Sequence, residues 1–359
     1  MKQRVAGYDV ARALALFGMV LVNFKVAMIA ETGHPLLLSF AKLFEGRASA
    51  LFVILAGVGV AFLTARARNS ADNTLVLKAR MSIVKRGLLL VVIGLIFTPI
   101  WEADILHFYG FYFLFAAAIF MFQEKYLLWI SALIMLIFPV LMLVLNFEQN
   151  WDWATLTYYN FWSVDGMIRH IFFNGFHPVF PWAAFVTFGM WLGRQDLSLK
   201  LIRKKLFVRA LMTLVITECS FYFLRNMLND AGGIEMTAET ITFLFSTSII
   251  PPLPQYIISA GSSAVLVLIA CLHLSERFCE TKIIQYFYQT GQLSLTLYIA
   301  HIVIGMGFLE SIGRLENQSI GFSLFSALIF CAGSIALSVV WFKFFNVGPL
   351  ECVFRKMAK

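Results

Sequence analysis

Long apolar runs separated by short polar segments dominate the pattern of this 359-residue chain. Many of the runs are close to the roughly 20 residues that an α-helix needs to cross the hydrocarbon core of a bilayer. The pattern predicts an all-α polytopic integral membrane protein with about ten transmembrane helices. The predicted spans are residues 10–30, 47–65, 87–101, 106–122, 126–146, 178–193, 206–225, 255–274, 292–312 and 320–343.

The composition supports this interpretation. Hydrophobic residues make up 60% of the chain and charged residues 13%, whereas about 25% of a soluble domain is charged. No polar stretch is long enough for a soluble domain, so residues 1–359 are predicted to form a single transmembrane domain. The five cysteines lack the spacing of a disulfide framework or a zinc site, and no metal is expected. Gly57 and Gly59 are interpreted as sites of close helix packing rather than as a ligand-binding loop.

The distribution of basic residues predicts the orientation in the membrane. With the N-terminus in the cytoplasm, 22 of the 28 Lys and Arg residues lie on the inside and 6 on the outside. The basic clusters in residues 66–86 and 194–209 then both face the cytoplasm, as the positive-inside rule requires. Both termini are therefore predicted to be cytoplasmic. The net charge of +8 follows from this orientation and does not indicate a nucleic-acid partner.

Two predicted outer segments, residues 147–177 and 226–254, are unusually long. Aromatic and proline-rich outer segments are typical of an interfacial belt or a re-entrant loop, and aromatic side chains also line sugar-binding surfaces. These alternatives remain open from the sequence. His170 lies in an amphipathic stretch and is predicted to face an interface. The aromatic residues of the first segment include Trp151, Trp153, Tyr158, Tyr159 and Trp162.

Ionisable and amide groups inside a span are costly, so each one is a candidate functional residue. Asp9 and Arg12 lie one turn apart at the start of the first span, and Asn23 lies deeper. The pair is either a helix-start carboxylate with an Arg reaching the interface, or an Arg held towards an anionic ligand from the cytoplasm. Asn23 is suited to joining helices or to donating a hydrogen bond to an oxyanion.

Histidine is the usual general base near neutral pH. His34 and His177 each precede a proline at the outer entrance of a span, and this proline disfavours helix at the histidine. Both side chains are therefore expected at span openings, whereas His301 lies well inside the ninth span. Two further titratable residues at an outer turn are Asp104 and His107.

A series of motifs resembles a known family. In order along the chain they are "DVARALALFGMVLVNF", "FEGRASALFVILAGVGVAF", "DILHFYGFYFL", "HPVFPWAAFVTFGMWLGR", "GQLSLTLYIAHIVI" and "GPLECVFR". Together they resemble the YeiB-like family of bacterial membrane proteins over essentially the whole chain. That family belongs to a wider transmembrane acyltransferase superfamily, which includes the heparan-α-glucosaminide N-acetyltransferase and bacterial acyltransferases of surface polysaccharides.

The resemblance implies an O- or N-acyltransferase in the bacterial cytoplasmic (inner) membrane. Such enzymes take an acyl group, here expected to be acetyl, from acyl-CoA in the cytoplasm and deliver it to a sugar or glycan on the other side. Acyl-CoA is then the co-substrate, and a homodimer is expected. The main alternative is a transporter or flippase for a polar or lipid-linked substrate, and a third class is a scaffold or sensor without chemistry.

The heparan enzyme opens its first span with residues in the register of Asp9, Arg12 and Asn23, and its catalytic histidine falls at the position of His34. Towards its C-terminal end, that enzyme has a Tyr-x-x-His motif, which Tyr298 and His301 resemble here. The polysaccharide acyltransferases carry a histidine where this chain has Asn23. The resemblance therefore predicts His34 as the general base.

The remaining roles follow from the same resemblance. Asn23 is predicted to stabilise the oxyanion, and His301 to orient the base or the acceptor. CoA is a polyanion, so basic residues on the cytoplasmic side are predicted to bind it, together with Arg12 held by Asp9. These predicted CoA-binding residues are Arg80, Lys85, Arg86 and Arg194. The predicted acceptor-side residues are Asp104, His107 and His177.

Overall fold

The computed structural model describes residues 5–230 and 236–358, and most of them are helical. Within these residues, seven helices are long and apolar enough to cross a membrane, and two shorter apolar helices accompany them. The predicted all-α, multi-pass class is therefore confirmed. The number of ten spans and the cytoplasmic location of both termini stay predictions. Residues 231–235, which belong to the predicted outer segment 226–254, lie outside the described residues.

Most helices follow the predicted spans within a few residues, but the helix at the predicted span 87–101 is Asn73–Phe97 and the one at 206–225 is Lys200–Asp230. Additional short helices lie at the ends of several long ones. The first eight are α1 (Ala6–Ala27), α2 (Pro35–Lys42), α3 (Arg47–Arg68), α4 (Asn73–Phe97), α5 (Leu106–Ile119), α6 (Glu124–Val144), α7 (Val164–Arg169) and α8 (Val179–Leu192). The others are α9 (Lys200–Asp230), α10 (Ala238–Phe245), α11 (Pro254–Arg277), α12 (Lys282–Gln292), α13 (Ser294–Ala300), α14 (Gly307–Ser311), α15 (Ile320–Phe344) and α16 (Pro349–Met357).

Among the described residues, two short strands and two π-helices interrupt this pattern. Strands β1 (Trp151–Asp152) and β2 (Thr157–Tyr158) pair antiparallel between α6 and α7, in the predicted outer segment 147–177. The π-helices are His170–Asn174 and His301–Met306, and each begins at a histidine. π-Helical turns are rare and occur frequently at functional sites. We therefore regard His170 and His301 as candidate functional residues.

Contacts between residues divide the chain into two units. The first contains the described residues up to Phe52 together with Ala264–Lys356, and the second contains Val53–Ser263 with the last residues of the chain. Helices α3 and α11 each contribute residues to both units. The single domain expected over residues 1–359 stays a prediction.

In the first unit, α1 packs against α12, α13 and α15. A Cβ atom added to Gly291 of α12 would lie 1.8 Å from the carbonyl oxygen of Asp9, so only glycine permits this approach. Glu351 of α16 accepts hydrogen bonds from the backbone N–H groups of Leu295 and Thr296, at 2.9 and 3.1 Å. This carboxylate satisfies donors at the start of α13, and α13 leads directly into His301.

In the second unit, α4 packs against α5 and α6 against α8. A Cβ atom on Gly57 of α3 would lie 2.1 Å from the carbonyl oxygen of Val186 in α8, whereas one on Gly59 would have no neighbour within 4 Å among the described atoms. Close packing was therefore predicted correctly for Gly57 and wrongly for Gly59. A Cβ atom on Gly94 of α4 would lie 2.1 Å from the backbone nitrogen of His107, so this glycine determines how closely α5 begins beside α4.

Candidate functional site

The side chains of Asn23 and His301 meet inside the first unit. The Nδ2 atom of Asn23 lies 2.9 Å from Nε2 of His301, while Nδ1 of His301 contacts the carbonyl oxygen of Tyr298. Because a carbonyl only accepts, Nδ1 must hold the proton of the neutral ring, and Nε2 accepts from the Asn23 amide. His301 is fully buried and Asn23 half-buried. Among the described residues, Asn23 has no second side-chain partner, so its other amide N–H is available.

Asp9 and Arg12 form the ion pair that the sequence suggests at the start of α1. The Asp9 side chain is 1% exposed and the Arg12 side chain 26% exposed. A carboxylate in the first helical turn also interacts favourably with the helix dipole. The pair is therefore a fixed carboxylate beside a partly accessible guanidinium, an arrangement that both interpretations of the sequence predicted.

His34 forms the N-cap of α2, immediately before Pro35. Its exposed ring accepts a hydrogen bond at Nδ1 from the backbone N–H of Leu36, at 3.2 Å. The neutral ring consequently holds its proton on Nε2. To accept a proton at Nε2, the ring must give up this cap, which costs about 1 kcal/mol. The role of His34 as a base stays a prediction.

A buried lysine near the end of α1 was missed in the sequence analysis. Lys25 is 5% exposed, and its Nζ atom lies 2.8 Å from the carboxylates of both Glu31 and Glu45. Because both acids neutralise it, we assign this cluster a structural role. Its position inside an apolar span, two residues after Asn23, was the signal that could have identified it.

In the second unit, four titratable residues that the sequence predicts on the outer side lie close together, namely Asp104, His107, His170 and His177. Asp104 and His107 are fully buried, with Oδ2 of Asp104 3.6 Å from Nδ1 of His107. The His107 and His170 rings are stacked, and their centres are 5.7 Å apart. The Phe108 ring packs against the rings of both His170 and His177, with 5.2 and 6.1 Å between the ring centres. The structure thus groups the predicted acceptor-side residues with His170. The prediction that His170 faces an interface was wrong, because its side chain is buried and only 1% exposed.

The electrostatics of this cluster keep two of its histidines, His170 and His177, neutral. Burial lowers the pKa of His177 to about 3, and the nearby His107 contributes to this shift. Burial also lowers the pKa of His170 well below its usual range, with further contributions from His107 and His177. Removing an imidazolium from water is costly, so His170 and His177 are uncharged near pH 7.

A cavity of about 370 Å³ opens beside this cluster, in the predicted outer segment 147–177. Its side chains come from the turn after α4, from β2 and from the residues that lead to the first π-helix. The Asn174 side chain orders this segment: it accepts from the Tyr158 hydroxyl and donates to the carbonyls of Phe147 and Gln149. The cavity is lined by residues that include Glu102, Tyr158, Tyr159, Phe161, Trp162 and His170.

Two of the predicted CoA-binding residues converge at the C-terminal end of α5. The Arg80 guanidinium lies 5.6 Å from the ring centre of Phe120. Arg194 donates to the carbonyl oxygens of Phe120 and Phe122 at 2.7 and 2.6 Å. Burial and the neighbouring Arg68 lower the pKa of Arg194 to about 10, so it remains protonated. Lys85 and Arg86 lie further along α4; for all four residues CoA binding stays a prediction.

Comparison with known families decides the relationship. Residues 4–227, more than half of the chain, match the family model described as heparan-alpha-glucosaminide N-acetyltransferase, catalytic. The chain belongs to this family. The matched range includes Asp9, Arg12, Asn23 and His34 of this acetyltransferase-family protein.

A second family model, described as protein of unknown function (DUF418), matches residues 200–359, which include His301. The two matches confirm the predicted YeiB-like relationship and its acyltransferase superfamily. No curated protein matches the chain. The Asn23–His301 hydrogen bond thus joins one residue from each matched range.

Proposed function

We propose that this protein is an acyltransferase of the bacterial inner membrane. It moves an acyl group, most simply acetyl, from cytoplasmic acyl-CoA to a sugar or glycan on the opposite side. Membership of the acetyltransferase family supports the reaction class. The observation that carries the proposal is the Asn23 amide, which the buried His301 holds in place while one N–H remains available.

In the proposed reaction, an acceptor hydroxyl or amine attacks the thioester carbon of acyl-CoA. His34 takes the proton of the attacking group, and the available N–H of Asn23 donates to the thioester oxygen as negative charge develops there. The C–S bond then breaks, and CoA leaves as a thiolate that takes up a proton. A positioned base contributes about 10²- to 10⁴-fold in rate, and an oxyanion donor about 10²- to 10³-fold.

His301 acts in this proposal through Asn23. Its Nδ1–H is held by the Tyr298 carbonyl, so its Nε2 presents a fixed lone pair to the Asn23 amide. A fixed acceptor of this kind orients the amide before the reaction, so that no reorganisation is needed in the transition state. His301 is therefore a positioning residue, since burial keeps it from the acceptor.

The donor is proposed to bind through cations, because CoA carries several phosphate charges. In the first unit the candidate is Arg12, whose guanidinium is partly exposed and held by Asp9. In the second unit the candidates are Arg80, Lys85, Arg86 and Arg194. Each group is tested separately by acetyl-CoA affinity.

The test uses the purified full chain in detergent, with acetyl-CoA as donor and glucosamine or N-acetylglucosamine as probe acceptors. Free CoA and acetylated product are measured by mass spectrometry, and acetyl-CoA affinity by calorimetry. We expect Asn23→Ala to lower kcat about 10²- to 10³-fold with little change in acetyl-CoA affinity. Arg12→Gln should weaken acetyl-CoA binding.

The matched control is Asn69→Ala, which removes an exposed amide at the end of α3. Wild-type turnover by Asn23→Ala would contradict the oxyanion role. Failure of the wild-type protein to bind acetyl-CoA would contradict the reaction class itself. The transporter alternative instead predicts substrate movement in proteoliposomes without thioester cleavage.

A further inference from the structure

Lys25 joins the two ends of the segment that carries His34. The Nζ atom of this buried lysine lies 2.8 Å from a carboxylate oxygen of Glu31 and 2.8 Å from one of Glu45. Glu31 lies three residues before His34, and Glu45 lies between the end of α2 and the start of α3. We call residues 31–45 the His34 segment. One cation of α1 therefore contacts both the first and the last residue of this segment.

The lysine allows the two acids to lie close together. Both carboxylates contact the same nitrogen, so their like charges repel each other unless the cation lies between them. The Glu31 and Glu45 side chains are 65% and 31% exposed, so water can solvate each acid when the cation is removed. Loss of the Lys25 charge is therefore expected to separate the two ends of the segment.

The helix between these ends has little burial of its own. In α2, which the structure describes throughout, Ala41 is the one buried residue, whereas Leu36, Leu37 and Phe40 are exposed. Lipid chains are as apolar as leucine, so contact with the bilayer does not favour one position of these side chains over another. The position of α2 thus depends on the contacts at the ends of the segment.

A second contact holds the backbone immediately before His34. The carbonyl oxygen of Thr32 accepts a hydrogen bond from the backbone N–H of Ile320 at 2.9 Å. Gly33 has a φ of +132°, which favours glycine, and a Cβ atom there would lie 2.7 Å from Cγ2 of Ile320. The ion pair at Glu31 and this hydrogen bond therefore hold two consecutive residues, and the chain leads from them directly into His34.

We propose that Lys25 is a positioning residue for His34. By holding Glu31 and Glu45 together, it fixes the segment so that the imidazole lies where it takes the proton of the acceptor. This inference rests on the proposed function, in which His34 is the general base. Lys25 itself transfers no proton, because its ammonium is buried and paired with two acids. A displacement of about 1 Å in a catalytic geometry can lower a rate about 100-fold.

The first experiment measures whether Lys25 holds the segment, and it involves no acyl transfer. Hydrogen–deuterium exchange of the purified full chain in detergent compares the wild type with Lys25→Met, which keeps a long side chain but removes the charge. Amides of residues 31–45 should exchange about 10- to 100-fold faster in the variant, as expected for loss of a hydrogen bond to a charged group. Lys42→Met, at an exposed lysine of the same segment, is the control and should not change the exchange.

The second experiment measures acyl transfer from acetyl-CoA to glucosamine. Lys25→Met should lower kcat about 10- to 100-fold without changing acetyl-CoA affinity. In a His34→Asn background, Lys25→Met should have no further effect on transfer, because Lys25 acts only through His34. A general loss of stability would lower transfer in both backgrounds, so the double variant distinguishes positioning from a purely structural role.

Glu31→Gln tests the same contact if Lys25→Met does not fold. The Glu31 side chain is largely exposed, and glutamine still accepts a hydrogen bond from the ammonium. This variant should change exchange and kcat in the same direction as Lys25→Met, but by a smaller factor. Glu310→Gln, at an exposed acid of α14, is its control. Thermal unfolding of each variant verifies that it is folded.

Unchanged exchange of residues 31–45 in both Lys25→Met and Glu31→Gln would overturn the proposal. Faster exchange with a wild-type kcat would overturn it as well, and so would an equal loss of transfer with His34 and with Asn at position 34. A wild-type protein that transfers no acyl group contradicts the proposed function, whereas the exchange experiment still decides whether Lys25 holds the segment.

Discussion

At the scale of single residues, two histidines differ in what their ring nitrogens can do. His301 is buried, and both its nitrogens are engaged, one by Tyr298 and one by Asn23. His34 is exposed, and one nitrogen caps α2. A general base must exchange protons with a substrate, so the accessible His34 remains the candidate base and the buried His301 a positioning group.

His34 has two separable roles, which two substitutions distinguish. Asn is among the best N-cap residues but has no basic nitrogen, whereas Ala provides neither property. If His34 is the base, both His34→Asn and His34→Ala should lower acyl transfer about 10²- to 10⁴-fold. Only His34→Ala should also lower stability, by about 0.5–2 kcal/mol. Transfer rates and thermal unfolding check this, and normal transfer by His34→Asn would exclude the base assignment.

The buried His177 should make stability depend on pH. Its pKa is about 3 in the folded protein, compared with an ordinary value of 6.5. As pH falls below 6.5, the unfolded chain takes up a proton that the folded state does not, so acidification favours unfolding. At pH 5.5 this amounts to about 1.4 kcal/mol.

Thermal unfolding at pH 7.5 and 5.5 tests this expectation. His177→Gln should reduce the loss of stability on acidification by about that amount. His273→Gln, at an exposed histidine, is the control and should leave the loss unchanged. If the wild type and His177→Gln lose the same stability between pH 7.5 and 5.5, His177 is protonated at pH 5.5 in the folded protein as well, and the expectation is wrong.

At the scale of elements, contacts through single glycines determine how closely helices approach. Gly57→Ala places a Cβ atom 2.1 Å from the Val186 carbonyl, whereas the position next to Gly59 is open among the described atoms. We expect Gly57→Ala to lower stability by about 1–3 kcal/mol through overpacking. Gly59→Ala should be neutral or raise stability by up to about 1 kcal/mol, because alanine favours helix.

Thermal unfolding of both variants in the same detergent measures the difference. Equal unfolding temperatures of Gly57→Ala and Gly59→Ala would mean that α3 can move away from α8 at little cost in free energy. The same reasoning applies to Gly94, whose close contact with the backbone of His107 determines where the buried histidine cluster begins.

At the scale of the whole molecule, the distribution of basic residues predicts one orientation. With 22 of 28 Lys and Arg residues inside, the aromatic segment should face away from the cytoplasm. In a variant without the five native cysteines, Trp162→Cys should react with an impermeant maleimide in intact cells. Lys200→Cys should react only after permeabilisation. The opposite labelling pattern would reverse the predicted direction of acyl transfer.

The multi-pass helical fold was predictable because a bilayer offers no hydrogen bonds to the backbone. Each span must satisfy its own N–H and C=O groups, so it appears in the sequence as one continuous apolar run. The ion pair of Asp9 and Arg12 was predictable for a similar reason, since residues three apart meet on one helix. Lys25 was equally visible as a charge inside such a run, although it was overlooked.

Contacts between distant segments were decided only by the tertiary structure. The Asn23–His301 hydrogen bond joins positions 278 residues apart, and no local pattern encodes such a pair. Glu102 lies in an ordinary turn, and its place in a cavity depends on the pairing of β1 with β2 and on the bonds of Asn174. The sequence alone determined which segments are helices in a membrane, because that requirement is local. The site residues that come together depend on how helices pack, which is a property of the whole chain.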